Sequence, residues 1–216
     1  FDLAASQWVE KPDAPIIARI SAYDPVTQRV FIHRGATNAA YLRSFDPLAN
    51  DGEGQWYENG TPNSGPSWVG SMNMVVNPQE RKLIAVGYYQ AEQWDISEFE
   101  SITDPDFDPS AVMVSAESLP QTGGGVLINA KGPGLAYDSI NNRVVGWAGG
   151  INLYQFNPTP AMGMDYWEVI EPAATPDFID INATGYGTFG RFQYVPAFNG
   201  FILVNHPEEN VYFFKN

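Results

Sequence analysis

Apolar residues run in short stretches broken by turn-formers, and four of these broken stretches align without gaps: Tyr23 to Ile32, Val76 to Ala85, Tyr137 to Gly146 and Tyr194 to Leu203. Each predicts a strand, a tight turn and a second strand. A third strand ending on an aromatic follows in every unit, at Leu42 to Pro47, Glu92 to Asp95, Leu153 to Pro158 and Val211 to Lys215. A fourth is predicted at Gln55 to Glu58, at Ala111 to Val114 and at Tyr166 to Val169. Nothing similar follows the last unit, but Ser6 to Glu10 at the other end of the chain matches Gly54 to Glu58. No segment sustains a helical period, and Gly and Pro fall between the strands.

A repeat of about 55 to 60 residues with several strands per unit predicts an all-β chain of β-propeller type. The expected arrangement is four blades of four antiparallel strands, roughly 13–62, 66–120, 124–173 and 185–216 plus 5–12. The N-terminal strand then closes the last blade, which removes exposed sheet edges. Two readings fit this spacing: a complete four-bladed ring, or a Trp8 strand left from an earlier blade.

Charge changes the choice of partner. The chain has 25 acidic and 11 basic residues, a net charge of −14. It would repel phosphate over most of its surface, so nucleic acid and anionic membrane are poor partners. No apolar run approaches the ~18 residues of a membrane-spanning helix. There is no cysteine, which excludes disulfides, thiolate metal sites and cysteine nucleophiles.

Several stretches resemble the last blades of secreted bacterial kelch-like, galactose-oxidase-like propellers. They are Gly132 to Asp138, Val145 to Gly150, Gly187 to Pro196 and Phe201 to Asn205, and Tyr23 to Thr27 resembles the kelch hairpin start. The resemblance implies export to the periplasm, cell surface or medium. It also implies a ring of six or seven blades, of which this would be the C-terminal portion. It does not bring the copper-radical site, which needs a cysteine cross-linked to a tyrosine. The Ser-x-Asp-x-Gly-x-Thr-Trp boxes of sialidases are also absent.

In a propeller, the loops before first strands and after second strands share one face, where ligands bind. Arg19, Lys131 and Arg191 are expected there, with His33, Arg34, Tyr88, Tyr89, Trp147 and His206. Such a rim suits a carboxylated or sulfated sugar, with arginine forks for the charge and aromatic rings for stacking. The plainer alternative puts Trp147 between blades and pairs the arginines with nearby aspartates. His33 and His206 are the candidate catalytic pair, as base and charge neutraliser in a polysaccharide lyase. Arg29, Lys82 and Arg143 recur at one position and are expected to pair with Asp24 and Asp138. Calcium has two candidate loops, Asp46, Asp51 and Glu53 in one and Asp104, Asp106 and Asp108 in the other, with a third cluster at Asp177, Asp180 and Asn182. Asn59-Gly60-Thr61 and Asn182-Ala183-Thr184 fit the N-glycosylation pattern.

Three functions follow as expectations. The first is an exported, non-catalytic binding or adhesion module for acidic carbohydrate. The others are the propeller of an extracellular polysaccharide lyase or hydrolase, and a structural subunit meeting other copies or chains in a surface assembly.

Overall fold

The computed structural model describes residues 11–13, 20–34, 41–60, 71–101, 103–104, 106–171, 187–204, 208 and 210–216, with only the backbone of Arg34 and Tyr41. The chain is all-β, in four antiparallel sheets. Sheet 1 has strands β1 (Ile20–Asp24), β2 (Arg29–Arg34), β3 (Tyr41–Asp46) and β4 (Gln55–Glu58). Sheet 2 has β5 (Asn73–Asn77), β6 (Lys82–Gly87), β7 (Gln90–Asp95) and β8 (Glu117–Ser118). Sheet 3 has β9 (Gly134–Asp138), β10 (Arg143–Trp147), β11 (Leu153–Phe156) and β12 (Trp167–Ile170). Sheet 4 has β13 (Phe192–Val195), β14 (Gly200–Leu203) and β15 (Tyr212–Lys215). A five-residue helix, α1 (Gly125–Asn129), lies between sheets 2 and 3 in sequence.

The ungapped alignment is a shared register. Tyr23 faces Val30, Val76 faces Leu83, Tyr137 faces Val144 and Tyr194 faces Phe201 across the four hairpins. Each hairpin ends its loop on a residue with positive φ: Gln28 at 61°, Arg81 at 55°, Asn142 at 48° and Asn199 at 44°. The residue opening the loop stabilises the turn from its side chain. Asp24 Oδ1 accepts from Val26 N–H, Asn77 Oδ1 from Gln79 and Glu80, and Asp138 Oδ1 from Ile140 and Asn141. Val195 has no such oxygen, and a single 3₁₀ turn at Pro196–Phe198 takes its place.

Successive sheets pack face against face: β1 lies on β5, β5 on β9 and β9 on β13. We call the side a sheet turns toward its predecessor its front, and the other its back. The back of sheet 1 (Ala22, Phe31, Leu42) meets the front of sheet 2 (Met74, Leu83, Trp94). The back of sheet 2 (Ile84, Val86, Ala91) meets the front of sheet 3 (Leu135, Val144, Phe156), with Leu127 and Ile128 of α1 added. The back of sheet 3 (Ala136, Val145, Leu153) meets the front of sheet 4 (Phe192, Phe201, Phe214). Each wholly buried aromatic or Leu contributes roughly 1.5–3 kcal/mol, so these seams carry most of the stability. Gly134 allows the last close approach, since a Cβ there would collide with the Phe192 side chain.

Two expectations need correction. The fourth strand of sheet 2 is Glu117–Ser118, which pairs with Glu92 and Gln93; Ala111 to Val114 is not that strand. Val112 and Val114 instead enter the seam between sheets 1 and 2. Asn59 holds them, its Nδ2 donating to Pro109 O (2.7 Å) and Val112 O (3.0 Å), while Val114 N–H donates to Asn59 O (2.7 Å). Second, Arg29 pairs with Asp46 at 3.2 Å rather than with Asp24. Asp24 takes Arg81 of the next sheet, both carboxylate oxygens lying 2.9 Å from Nη1. Lys82 pairs with Asp95, and Arg143 pairs with Asp138 as expected. Asn59 is wholly buried, so the Asn59-Gly60-Thr61 match offers no accessible acceptor in the folded chain. Of the segment expected to close sheet 4, only Lys11 and Pro12 are described. Pro12 O accepts from Trp56 Nε1 at 3.2 Å, and Lys11 donates to Pro47 O and Gly52 O.

Candidate functional site

The first strands of all four sheets line one cavity of about 620 Å³. Its wall is the inner edge of the stack, where β1, β5, β9 and β13 follow one another. None of the described lining residues carries a charge. Polar groups come from Ser21, Asn73 and Gln193, and aromatic surface from Tyr23, Tyr137 and Tyr194.

The three tyrosines occupy the same position in three repeats, the next-to-last residue of the first strand, and Val76 stands there in sheet 2. Tyr137 OH donates to Asn142 Oδ1 at 2.8 Å, and Tyr194 OH to Asn199 Oδ1 at 2.9 Å. The left-handed Asn of each turn thus orients the ring and uses its proton, leaving the phenolic oxygen as an acceptor. Burial first, then Asp138, pushes the Tyr194 hydroxyl up to about 12. Burial first, then Glu80 and Asp138, also raises that of Tyr137. Both stay neutral at physiological pH. The cavity therefore offers ring faces and neutral hydrogen-bonding groups, a chemistry for holding a ligand.

Asp138 stands behind this wall, wholly buried. Burial pushes its carboxyl up, but hydrogen bonds from the Asn141 side chain and amide and from Arg143 outweigh that and leave it lowered. Asn216 Nδ2 donates to Asp138 Oδ2 at 3.0 Å, which ties sheet 4 to sheet 3.

The structure scatters the expected rim. His33 is wholly buried on β2, with neither ring nitrogen hydrogen-bonded, and its ring lies 5.2 Å from that of Trp94. Burial holds its pKa down at about 4, so it stays neutral and away from solvent, where a surface base would have to be. Trp147 is also wholly buried, its Nε1 donating to Gly150 O at 2.9 Å, and offers no ring to a sugar. Arg191 is half-buried and donates to Thr188 O and Gly187 O of its own loop, beside cavity residues Phe189 and Gly190. Tyr88, Tyr89 and Lys131 do come together. Tyr88 and Tyr89 both have positive φ and donate their N–H groups to Ala130 O and Ile128 O, and Lys131 follows, exposed. Arg19, His206 and the Arg34 side chain lie outside the described residues.

The candidate calcium carboxylates among the described residues face protein groups or solvent. Asp46 faces Arg29 and accepts from Leu48 and Ala49 N–H, while Asp51 and Glu53 are exposed. Asp104 accepts from Asp106 N–H, and Asp108 from Ser110 N–H and Oγ–H. Among the described residues no three Asp, Glu or His side chains converge. Asp177, Asp180 and Asn182 lie outside them.

The sequence reading missed the tyrosine position and Asn59. The first had a visible signal, since Tyr23, Tyr137 and Tyr194 head three of the four aligned stretches. Asn59 had none, because its partners lie about 50 residues away in a loop. No protein-family model matches this chain, and no curated protein matches it either.

Proposed function

We propose that this chain is an exported, non-catalytic binding module of β-propeller architecture that holds a neutral carbohydrate in its central cavity. The observation that carries this reading is the uncharged cavity lined by all four first strands, with tyrosines repeated around it. Sugars stack their apolar faces on aromatic rings and hydrogen-bond sideways, and Tyr supplies both at once. A carboxylated or sulfated ligand would find no described cation on that wall. The four sheets in one register with adjacent first strands support the propeller reading. The kelch-like stretches support export. Residues 5–12 would then supply the fourth strand of sheet 4.

A second reading, a bound acidic glycan, draws on the exposed cluster of Tyr88, Tyr89 and Lys131. Retention of the chain in gels carrying neutral, uronate or sulfated polysaccharides separates the two. Neutral polymers are expected to retain it. Tyr23→Ala should weaken that retention about tenfold, because Tyr23 is 56% exposed and can be removed without opening a core. Retention by acidic polymers alone, lost on Tyr89→Ala or Lys131→Ala but not on Tyr23→Ala, would move the site to the second cluster. Indifference to every polymer would sink both readings.

A further inference from the structure

At the end of the cavity away from the hairpin turns, the backbones leading into sheets 2, 3 and 4 are linked. Gly132 N–H donates to Ser71 O (2.6 Å), and Gly132 O accepts from Thr188 N–H (2.6 Å) and Phe189 N–H (3.0 Å). Ser71, Gly132 and Phe189 hold one repeat position, each five residues before Val76, Tyr137 or Tyr194. Gly132 and Phe189 both have left-handed backbone there, at φ 56° and 48°. Glycine takes that conformation freely, whereas a bulky side chain is strained in it. The loop bears a second cost, since the neighbouring Thr188 Oγ1 is buried with no hydrogen-bond partner. Two glycines make room for the phenylalanine ring. A Cβ on Gly132 would stand 2.5 Å from Phe189 Cζ, and one on Gly187 would stand 2.8 Å from its Cε2.

Strain kept where a relaxed residue would fit needs a gain elsewhere, and such positions gather at ligand clamps. Phe189 lines the cavity, so the strained residue contributes to that wall. It offers an apolar ring and no hydrogen bond. From Phe189 to Tyr194 the chain advances about 13 Å, through a 3₁₀ turn and then a strand. The aromatic surface therefore lies at two levels, tyrosines near the hairpin turns and Phe189 at the far end, further apart than one sugar ring spans. We propose that Phe189 is a ligand-contacting residue that makes the cavity prefer a chain of several sugar rings to a single sugar. This rests on the carbohydrate reading above. One end of the chain stacks among Tyr23, Tyr137 and Tyr194, and the other end stacks on Phe189. A single sugar reaches one level only and gains one contact of the two.

The test is elution of the protein from a neutral polysaccharide gel by a single sugar or a short oligosaccharide, both released from that polymer by acid. The oligosaccharide is expected to elute the parent chain at a concentration about tenfold lower than the single sugar does. Phe189→Gly and Phe189→Ala should both abolish this preference, and Phe189→Tyr, which keeps a ring, should retain it. Thermal unfolding reads the strain separately. Phe189→Gly should melt above Phe189→Ala, since the two differ only in the Cβ that a left-handed backbone disfavours. A preference that survives in both ringless variants would overturn the proposal, as would Phe189→Ala melting at or above Phe189→Gly. Loss of the preference in Phe189→Tyr as well would make the residue a packing element of its loop and overturn it too. A parent chain that no neutral polymer retains would overturn the carbohydrate reading and this one with it. Retention that Tyr23→Ala weakens, with a preference that no Phe189 variant alters, would overturn this one alone.

Discussion

His33 carries two unpartnered ring nitrogens inside sheet 1, a cost the fold bears only while the ring is neutral. Its folded pKa of about 4 lies below the value of about 6.5 expected when unfolded. The stability of the neutral ring is therefore fully present above about pH 6.5 and is lost as the pH falls from there toward 4. That loss amounts to about 3 kcal/mol. The urea midpoint should drop across this window, and His33→Leu should flatten this part of the profile. A profile unchanged by that substitution would place the titration elsewhere. Asn59 is a different case, a neutral side chain that accepts from Ser44 N–H and Oγ–H and donates to two carbonyls. Asn59→Ala strands buried groups on both sides and should cost about 3 kcal/mol in denaturant titrations. Neither residue was legible: a histidine at a strand end and an asparagine before Gly-Thr read as surface until their distant neighbours are known.

The hairpin is the element the sequence shows best, because its register depends only on neighbours within ten residues. All four turn positions followed from the alignment, and each closes on a left-handed residue. Relief of that conformation should be measurable. Gln28→Gly should raise the melting temperature slightly, by about 1 kcal/mol of stability. Arg81→Gly relieves the same strain but strips the buried carboxylate of Asp24 of its ion-pair partner, and should destabilise by about 3 kcal/mol. Opposite signs at equivalent positions would separate backbone from ion pair; equal signs would refute the assignment. Outer strands were less legible. Val112 and Val114 alternate as a strand does, but a side chain from sheet 1 takes the carbonyls around them, and Glu117–Ser118 pairs in their stead.

At the scale of the molecule, the repeat foretold how many sheets there are, while the seams decided what each residue does. Trp147 looked like a sugar platform because it ends a second strand, yet its position on the back of sheet 3 buries it. The cavity tyrosines looked like ordinary strand residues because no local pattern shows which strand edge faces inward. Each seam also holds one wholly buried tryptophan: Trp94 between sheets 1 and 2, Trp167 between 2 and 3, and Trp147 between 3 and 4. The described residues thus place a fluorophore at each of the three joints between successive sheets. Variants keeping one of these indoles should report each joint separately by emission wavelength. If neighbouring sheets unfold in sequence, the three red shifts will come at different denaturant concentrations, and if the stack opens as one they will coincide.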